Sequence, residues 1–404
     1  MQYRTGKKSG NSLSVLGLGC MRFSRGKAES IVMTSVKRGI NYFDTAWMYP
    51  GNEEALGAAL KKNRVRDKVF IATKLPVMLV KKHEDCNRFF AESLKRLKTH
   101  YIDYYLMHML TDLASWEYLV SLGIRDWIAA KKKGGEIKQI GFSFHGMGEE
   151  FIKILDAYPW DFCQIQYNYS NENYQAGIRG LKKAAQTMPV IIMEPLLGGK
   201  LAGGLPSAAK AIFRRVGAAG AVSAATGEAS AASPAAWGLR WLWNQEETTV
   251  ILSGMTDPAQ VEENAALAGT CAAGSLSAEE LEVYRRVRDV FNASFRIRCT
   301  GCAYCMPCPR GVNIPGCFAA YNTSFAIGWV TGMQQYITST AAVSAKPSGA
   351  VNCTACGACE SRCPQKLSVI SGLKQVRGRM EPPFVRIITT VARKLLGHAV
   401  RRTD

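Results

Sequence analysis

Eight short β-rich runs alternate with helical patterns through residues 13–270, and no other feature constrains the fold as tightly. The runs cover 13–19 (LSVLGLG), 40–46 (INYFDTA), 68–74 (KVFIATK), 101–108 (YIDYYLMH), 137–143 (IKQIGFS), 162–167 (FCQIQY), 190–195 (VIIMEP) and 248–254 (TTVILSG). Between them lie helix-like stretches such as 52–62, 84–98, 149–158 and 257–269. Short apolar strands separated by helices predict parallel pairing, because each crossover returns the chain to the same end of the sheet. Eight such units over roughly 250 residues predict a (β/α)8 TIM barrel. A doubly wound open sheet is the rival. Its dinucleotide fingerprint should follow the first strand, but Gly17-Leu18-Gly19-Cys20-Met21-Arg22 has arginine where the third glycine belongs. No P-loop pattern occurs either. Residues 198–236, rich in Gly, Ala and Ser around a basic helix-like core, break the rhythm. After the seventh barrel strand they would form a lid at the catalytic face; a surface insertion is the other reading.

Thirteen cysteines are unevenly placed: Cys20, Cys86, Cys163 and Cys271 are scattered, and nine crowd between Cys299 and Cys363. The N-terminus reads as no signal peptide, so the cluster predicts metal ligation in a reducing compartment, with a cytoplasmic location expected. Two segments repeat one pattern, Cys299-x2-Cys302-x2-Cys305-x2-Cys308-Pro309 and Cys353-x2-Cys356-x2-Cys359-x3-Cys363-Pro364. Two-residue gaps let three thiolates converge on one cube, while the fourth, before proline, leaves toward a neighbouring cluster. The second motif has the bacterial ferredoxin spacing in full; the first is one residue short. The expected ligand sets are therefore crossed: Cys299, Cys302, Cys305 and Cys363 on one [4Fe–4S] cluster, Cys353, Cys356, Cys359 and Cys308 on the other. Two structural zinc sites are the alternative. Cys317 reads as a small buried residue rather than a ligand.

Composition narrows the class further. Apolar residues make up 47% and charged residues 21%, which excludes a disordered chain, a collagen and a coiled coil. No run approaches the ~18 apolar residues of a membrane-spanning helix. The net charge of +19 favours acidic partners, anionic cofactors or an anionic membrane surface. Nucleic acid is not expected among the partners. The expected division is a barrel over 1–295, an iron–sulfur module over 296–375 and a basic tail over 376–404.

Charged and polar groups stand at successive strand ends: Asp44 with Tyr49 five residues on, Lys74 closing FIATK, and His108 closing DYYLMH. Catalysis in a barrel sits at the carboxyl ends of strands. With GINYFDTA…Y, ATK and LMH in place, the chain resembles the aldo-keto reductase family, in the branch that carries a C-terminal ferredoxin-like domain. The resemblance implies a catalytic tetrad of Asp44, Tyr49, Lys74 and His108. Tyr49 would donate a proton to the carbonyl oxygen as nicotinamide delivers hydride. Lys74 would lower its pKa, Asp44 would hold Lys74, and His108 would orient the substrate. It also implies nicotinamide contacts from Ser143 and Gln164, and adenine-side contacts from Ser253, Gly254, Gln260 and Asn264. Phe144 stands where many members have Asn, and Met193 where an aromatic often stacks. Gly254 and Gln260 replace the Lys and Arg of a 2′-phosphate clamp, which leaves NADH and NADPH both open; Arg214 and Arg215 in the insertion are candidate substitutes.

The function expected is a nicotinamide-linked carbonyl/alcohol oxidoreductase with two [4Fe–4S] clusters and a small carbonyl or alcohol substrate. Hydride transfer moves two electrons and each cluster passes one, and no flavin signature bridges the two. The alternatives are an electron-transfer protein that docks an acidic carrier, or clusters that are purely structural. In the tail, apolar residues recur at Val385, Ile388, Val391, Leu395 and Ala399 among arginines and Lys394. Packing on the protein itself is the expected role, and contact with an anionic membrane surface the other.

Overall fold

The computed structural model describes residues 1–22, 26–217, 233–270, 272–293, 295–299, 301, 303–343, 346–363 and 365–397. The first predicted run divides in two. Its start, Ser12–Ser14 (β2), pairs antiparallel with Tyr3–Thr5 (β1), and its end is the first barrel strand, Leu16–Gly19 (β3). The others follow as Tyr42–Asp44 (β4), Phe70–Leu75 (β5), Ile102–Leu110 (β6), Ile137–Phe144 (β7), Phe162–Gln166 (β8), Val190–Met193 (β9) and Val250–Ser253 (β10). All eight are parallel, and β10 pairs with both β9 and β3, which closes the barrel and excludes the open-sheet rival.

Gly17 now has a structural reason. A Cβ there would lie 2.7 Å from a Val250 methyl and 2.8 Å from one of Leu252, so only glycine fits against the closing strand. The interior is filled by Tyr42, Tyr104, Leu106, Phe162, Ile191 and their neighbours, capped from the hairpin by Leu13. It is a packed core and not a pore.

The described part of the 198–236 insertion includes a helix, Ser207–Gly217, that packs on the barrel. Phe213 stacks on Trp237 with ring centres 5.2 Å apart and meets Tyr284 edge-on. Arg214 and Arg215 lie on its exposed side. Residues 218–232 of the segment expected to form a lid lie outside the described residues.

Phe295 packs on the barrel core, and Ile297 begins a second core. That core gathers the helices Ile314–Ala326, Trp329–Ser339 and Val369–Met380 around Phe318, Tyr336 and Leu373. It reaches past residue 375: the helix Val369–Met380 crosses that boundary, and Val376, Met380 and Val385 are all in the core. The two bodies touch near the barrel's upper loops. Tyr174 Oη donates to the Gln335 carbonyl at 3.2 Å, and a Cβ on Gly301 would lie 3.2 Å from that of Asn173. The last helix, Pro383–Gly397, runs beside the turn Val77–Leu79 that follows β5.

Candidate active site and cluster pocket

In-register parallel pairing places the strand ends at one level. Asp44 lies opposite Ala72, Lys74 opposite Leu106, Met107 opposite Phe142, and Ser143 opposite Gln164. Lys74, 1% exposed, gives its ammonium to Asp44 Oδ1 at 2.7 Å, Asp44 Oδ2 at 2.8 Å and the Thr45 carbonyl at 2.6 Å. A buried pair persists only when its hydrogen bonds are complete, and this one is. Burial pushes the Asp44 carboxyl up from its ordinary value, and the Lys74 charge and a hydrogen bond from Gln164 oppose that rise.

Tyr49 sits in the loop between β4 and the helix Asn52–Lys62, with its N–H donating to Ala46 O at 3.0 Å. Its ring centre is 5.3 Å from Lys74 Nζ and 6.0 Å from the His108 ring, which it meets edge-on. The expected lowering of its pKa does not occur. Burial, then the carboxylates of Asp44 and Glu194, hold the phenol well above its usual value. Lys74 makes no bond to the phenol, because its hydrogen bonds go to Asp44 and the Thr45 carbonyl. Tyr49 is therefore a phenol, not a phenolate.

His108 is buried, and burial followed by the Lys74 charge keeps it neutral. Among the described residues its Nδ1 has no hydrogen-bond partner. Three residues of this site escaped the sequence reading. His145 is also buried and held down to about 4, by burial first and Lys74 second. Its Nδ1 lies 3.5 Å from Gln175 Nε2, an amide that also donates to Gln166 Oε1 at 3.1 Å. Glu194 follows β9 with a left-handed backbone (φ 52°) and faces Tyr49. Arg22, noted only as the residue that spoils the glycine fingerprint, donates to Gly198 O at 2.9 Å, its side chain beside Gly254. The signal for His145 was its place directly after the Ser143-Phe144 strand end.

The residues expected to contact the nicotinamide cofactor lie on β7, β8 and β10 and in the segment after β10. Ser143 Oγ accepts from the Met109 N–H at 2.8 Å, which leaves its own hydroxyl proton to donate. Gln164 keeps its Oε1 buried and unpartnered among the described residues. A donor and a free acceptor on adjacent strands suit a carboxamide, which carries one carbonyl and one amino group. Met193 packs on the barrel's interior layer. Ser253 Oγ accepts from Asn264 Nδ2 at 3.3 Å, and Gln260 Oε1 is taken by the Thr256 N–H at 2.9 Å.

In the second body, one pocket is walled by Cys299 and Cys305 of the first motif and Cys363 of the second, with Ile314, Phe318 and Val369 behind them. Cys302 lies outside the described residues. Cys317 is fully buried, its thiol raised by burial, then by the Glu381 carboxylate and, more weakly, by Cys308 and Cys353 of the two motifs. Cys353 also lies beside Cys359, and Cys356 is exposed. Gly301 N–H donates to Cys299 Sγ at 3.5 Å, and Ala355 N–H to Cys353 Sγ at 3.4 Å. Soft thiolates with backbone N–H donors on an apolar wall fit an iron–sulfur cluster. Among the described residues no three His, Cys, Asp or Glu side chains converge on a single ion.

The sequence model of the aldo/keto reductase family matches residues 15–286. The chain belongs to the aldo/keto reductase family. Residues 298–367 match a 4Fe-4S dicluster domain, so a reductase barrel is followed by an iron–sulfur body. The barrel is 34% identical over 143 residues to methylglyoxal reductase of Escherichia coli O157:H7, covering 33% of this chain and 46% of that one. It is 35% identical over 165 residues to an aldo-keto reductase of Mycolicibacterium vanbaalenii, covering 39% and 54%. The chain thus spans about half the length of these relatives. Its fold matches the solved structures of an aldo-keto reductase of Bacillus halodurans and of one from Klebsiella pneumoniae in complex with NADPH. Each aligns at a TM-score of 0.57 and 22% identity over 71% of this chain and 96% of the other.

Proposed function

We propose that this aldo/keto reductase interconverts a small carbonyl compound and its alcohol with NAD(P)H. The observation that carries the reading is the juxtaposition of a protonated Tyr49, the closed Asp44–Lys74 pair and neutral His108 at one mouth. When bound, the nicotinamide would supply a hydride to the carbonyl carbon. Ser143 and Gln164 would hold its carboxamide, and Ser253, Gly254, Gln260 and Asn264 would line the adenine end. Tyr49 gives its phenolic proton to the oxygen as charge develops there. Lys74, fixed by Asp44, steadies that charge through space. His108, and His145 beside it, orient the oxygen through N–H groups. Arg22, whose side chain lies beside Gly254, would meet a phosphate of either nicotinamide.

The cysteines would hold two [4Fe–4S] clusters, with Cys299, Cys302, Cys305 and Cys363 on one and Cys308, Cys353, Cys356 and Cys359 on the other. The pocket walled by Cys299, Cys305 and Cys363 supports that crossing. One observation favours electron relay as a second reading. Cys356 is exposed, close in sequence to exposed Arg362 and Lys366, so an acidic carrier could approach the second cluster. A cytoplasmic location follows from the reducing conditions such clusters need. Spectra of anaerobically purified protein with NADPH and an aldehyde test both. Turnover with unbleached clusters supports direct reduction with structural clusters, bleaching before turnover supports a relay, and neither turnover nor bleaching rejects the proposal.

A further inference from the structure

The last helix buries only part of the described stripe; Ala399 and the side chain of Leu395 lie outside what the structure describes. Val385 and Thr389 face the iron–sulfur body, whereas Ile388 and Val391, counted in the same stripe, point outward. The exposed apolar face is made by Phe384, Ile387, Ile388 and Val391, spaced i, i+3, i+4 and i+7, at 54%, 64%, 63% and 50% exposure. It continues onto the start of the helix Trp329–Ser339, where the Trp329 ring sits 6.4 Å from that of Phe384 and Val330 is 74% exposed. Isolated exposed apolar residues are ordinary, but six contiguous ones mark a contact surface.

Charge identifies the occupant. Lys394 is exposed at the flank of this face, and Arg386 is exposed across the helix from it. From 376 to 404 the chain carries seven Lys and Arg against two acidic residues, Glu381 and Asp404. An apolar face with a tryptophan at its edge, a lysine at its flank and an arginine on the opposite side is the pattern of a helix lying in a lipid interface. No described helix is long and apolar enough to cross a membrane, so contact would be peripheral. We propose that this face docks on an anionic lipid surface, with the apolar side chains in the acyl boundary and the basic residues at the headgroups. The same helix runs beside Val77–Leu79, directly after the strand of Lys74, so docking would bring the barrel's mouth close to the bilayer.

The test is sedimentation of the full-length, cluster-loaded protein with vesicles of phosphatidylcholine alone or mixed with phosphatidylglycerol. Binding is expected to the mixed vesicles, to weaken at high salt, and to fall by at least ~10-fold in the Ile387→Asp, Ile388→Asp double variant. Both positions are exposed, so cluster absorbance and melting temperature should match the wild type. Absence of binding, or equal binding by wild type and variant, would overturn the proposal. So would a dimer that the variant dissolves without any vesicle binding, because the face would then belong to a second copy.

Discussion

Lys74 holds both carboxylate oxygens of Asp44, at 2.7 and 2.8 Å, and its third proton goes to Thr45. The proposed proton donor thus has no direct bond from the nearest cation and stays a phenol. Tyr49→Phe should therefore lower carbonyl reduction by roughly 10²-fold or more. Nicotinamide affinity, read by fluorescence titration, should change little. Because the phenol's pKa lies above the ordinary 10, no loss of reduction rate from its ionisation is expected up to that pH. An unchanged turnover in the variant would remove Tyr49 from the chemistry.

The Asp44–Lys74 pair also bears on stability. Lys74→Met leaves a buried, uncompensated carboxylate and should cost about 3–5 kcal/mol in urea unfolding. Adding Asp44→Leu should recover much of that loss while activity stays absent. If the double variant is no more stable than the single one, the cost does not come from the orphaned charge.

His145 predicts a pH dependence with a defined sign. Folded, it titrates at about 4; unfolded, near 6.5. Between those values the unfolded chain binds a proton that the folded chain refuses, so stability falls as the pH drops through this window. The full effect is about 3 kcal/mol. His145→Gln should flatten the fall in a urea-midpoint series by about that amount, with His108 supplying a remaining slope of the same sign. An identical slope in the variant would contradict the burial argument.

The crossed thiolates make a fourth prediction. Cys363→Ala should damage the cluster of Cys299 and Cys305, with which it shares a pocket, and spare that of Cys353, Cys356 and Cys359. Cys308→Ala should do the reverse, since Cys308 and Cys353 both flank Cys317. Paramagnetic resonance with iron analysis separates the outcomes. Loss confined to the variant's own motif would show that ligand sets are local.

The barrel was legible because its period is local: a buried parallel strand is a short apolar run, and all eight runs became strands. Asp44, Lys74 and His108 were legible because strand ends are where a barrel places polar groups. Other features depend on contacts that sequence spacing does not encode. The rise in Tyr49's pKa depends on its burial and on the carboxylates of Asp44 and Glu194. His145 and Glu194 join the site through loops whose course no periodicity records. The tail's stripe from Val385 to Leu395 falls on a helix, with Ala399 outside the described residues, but which side packs was set by Val385 and Thr389 meeting the second core. The split of residues 13–19 falls at Val15, between the hairpin strand Ser12–Ser14 and the barrel strand Leu16–Gly19, and no change of pattern in LSVLGLG marks it.

The central claim is direct hydride transfer at a site where Tyr49 supplies the proton. It is tested by anaerobic single turnover with NADPH carrying deuterium at the transferable C4 position and a small aldehyde. The account predicts one deuterium on the carbinol carbon of the alcohol, in the wild type and in the residual product of Tyr49→Phe. Alcohol formed without the label, with deuterium released to solvent as the iron–sulfur absorbance bleaches, would show that electrons travel through the clusters and would contradict it.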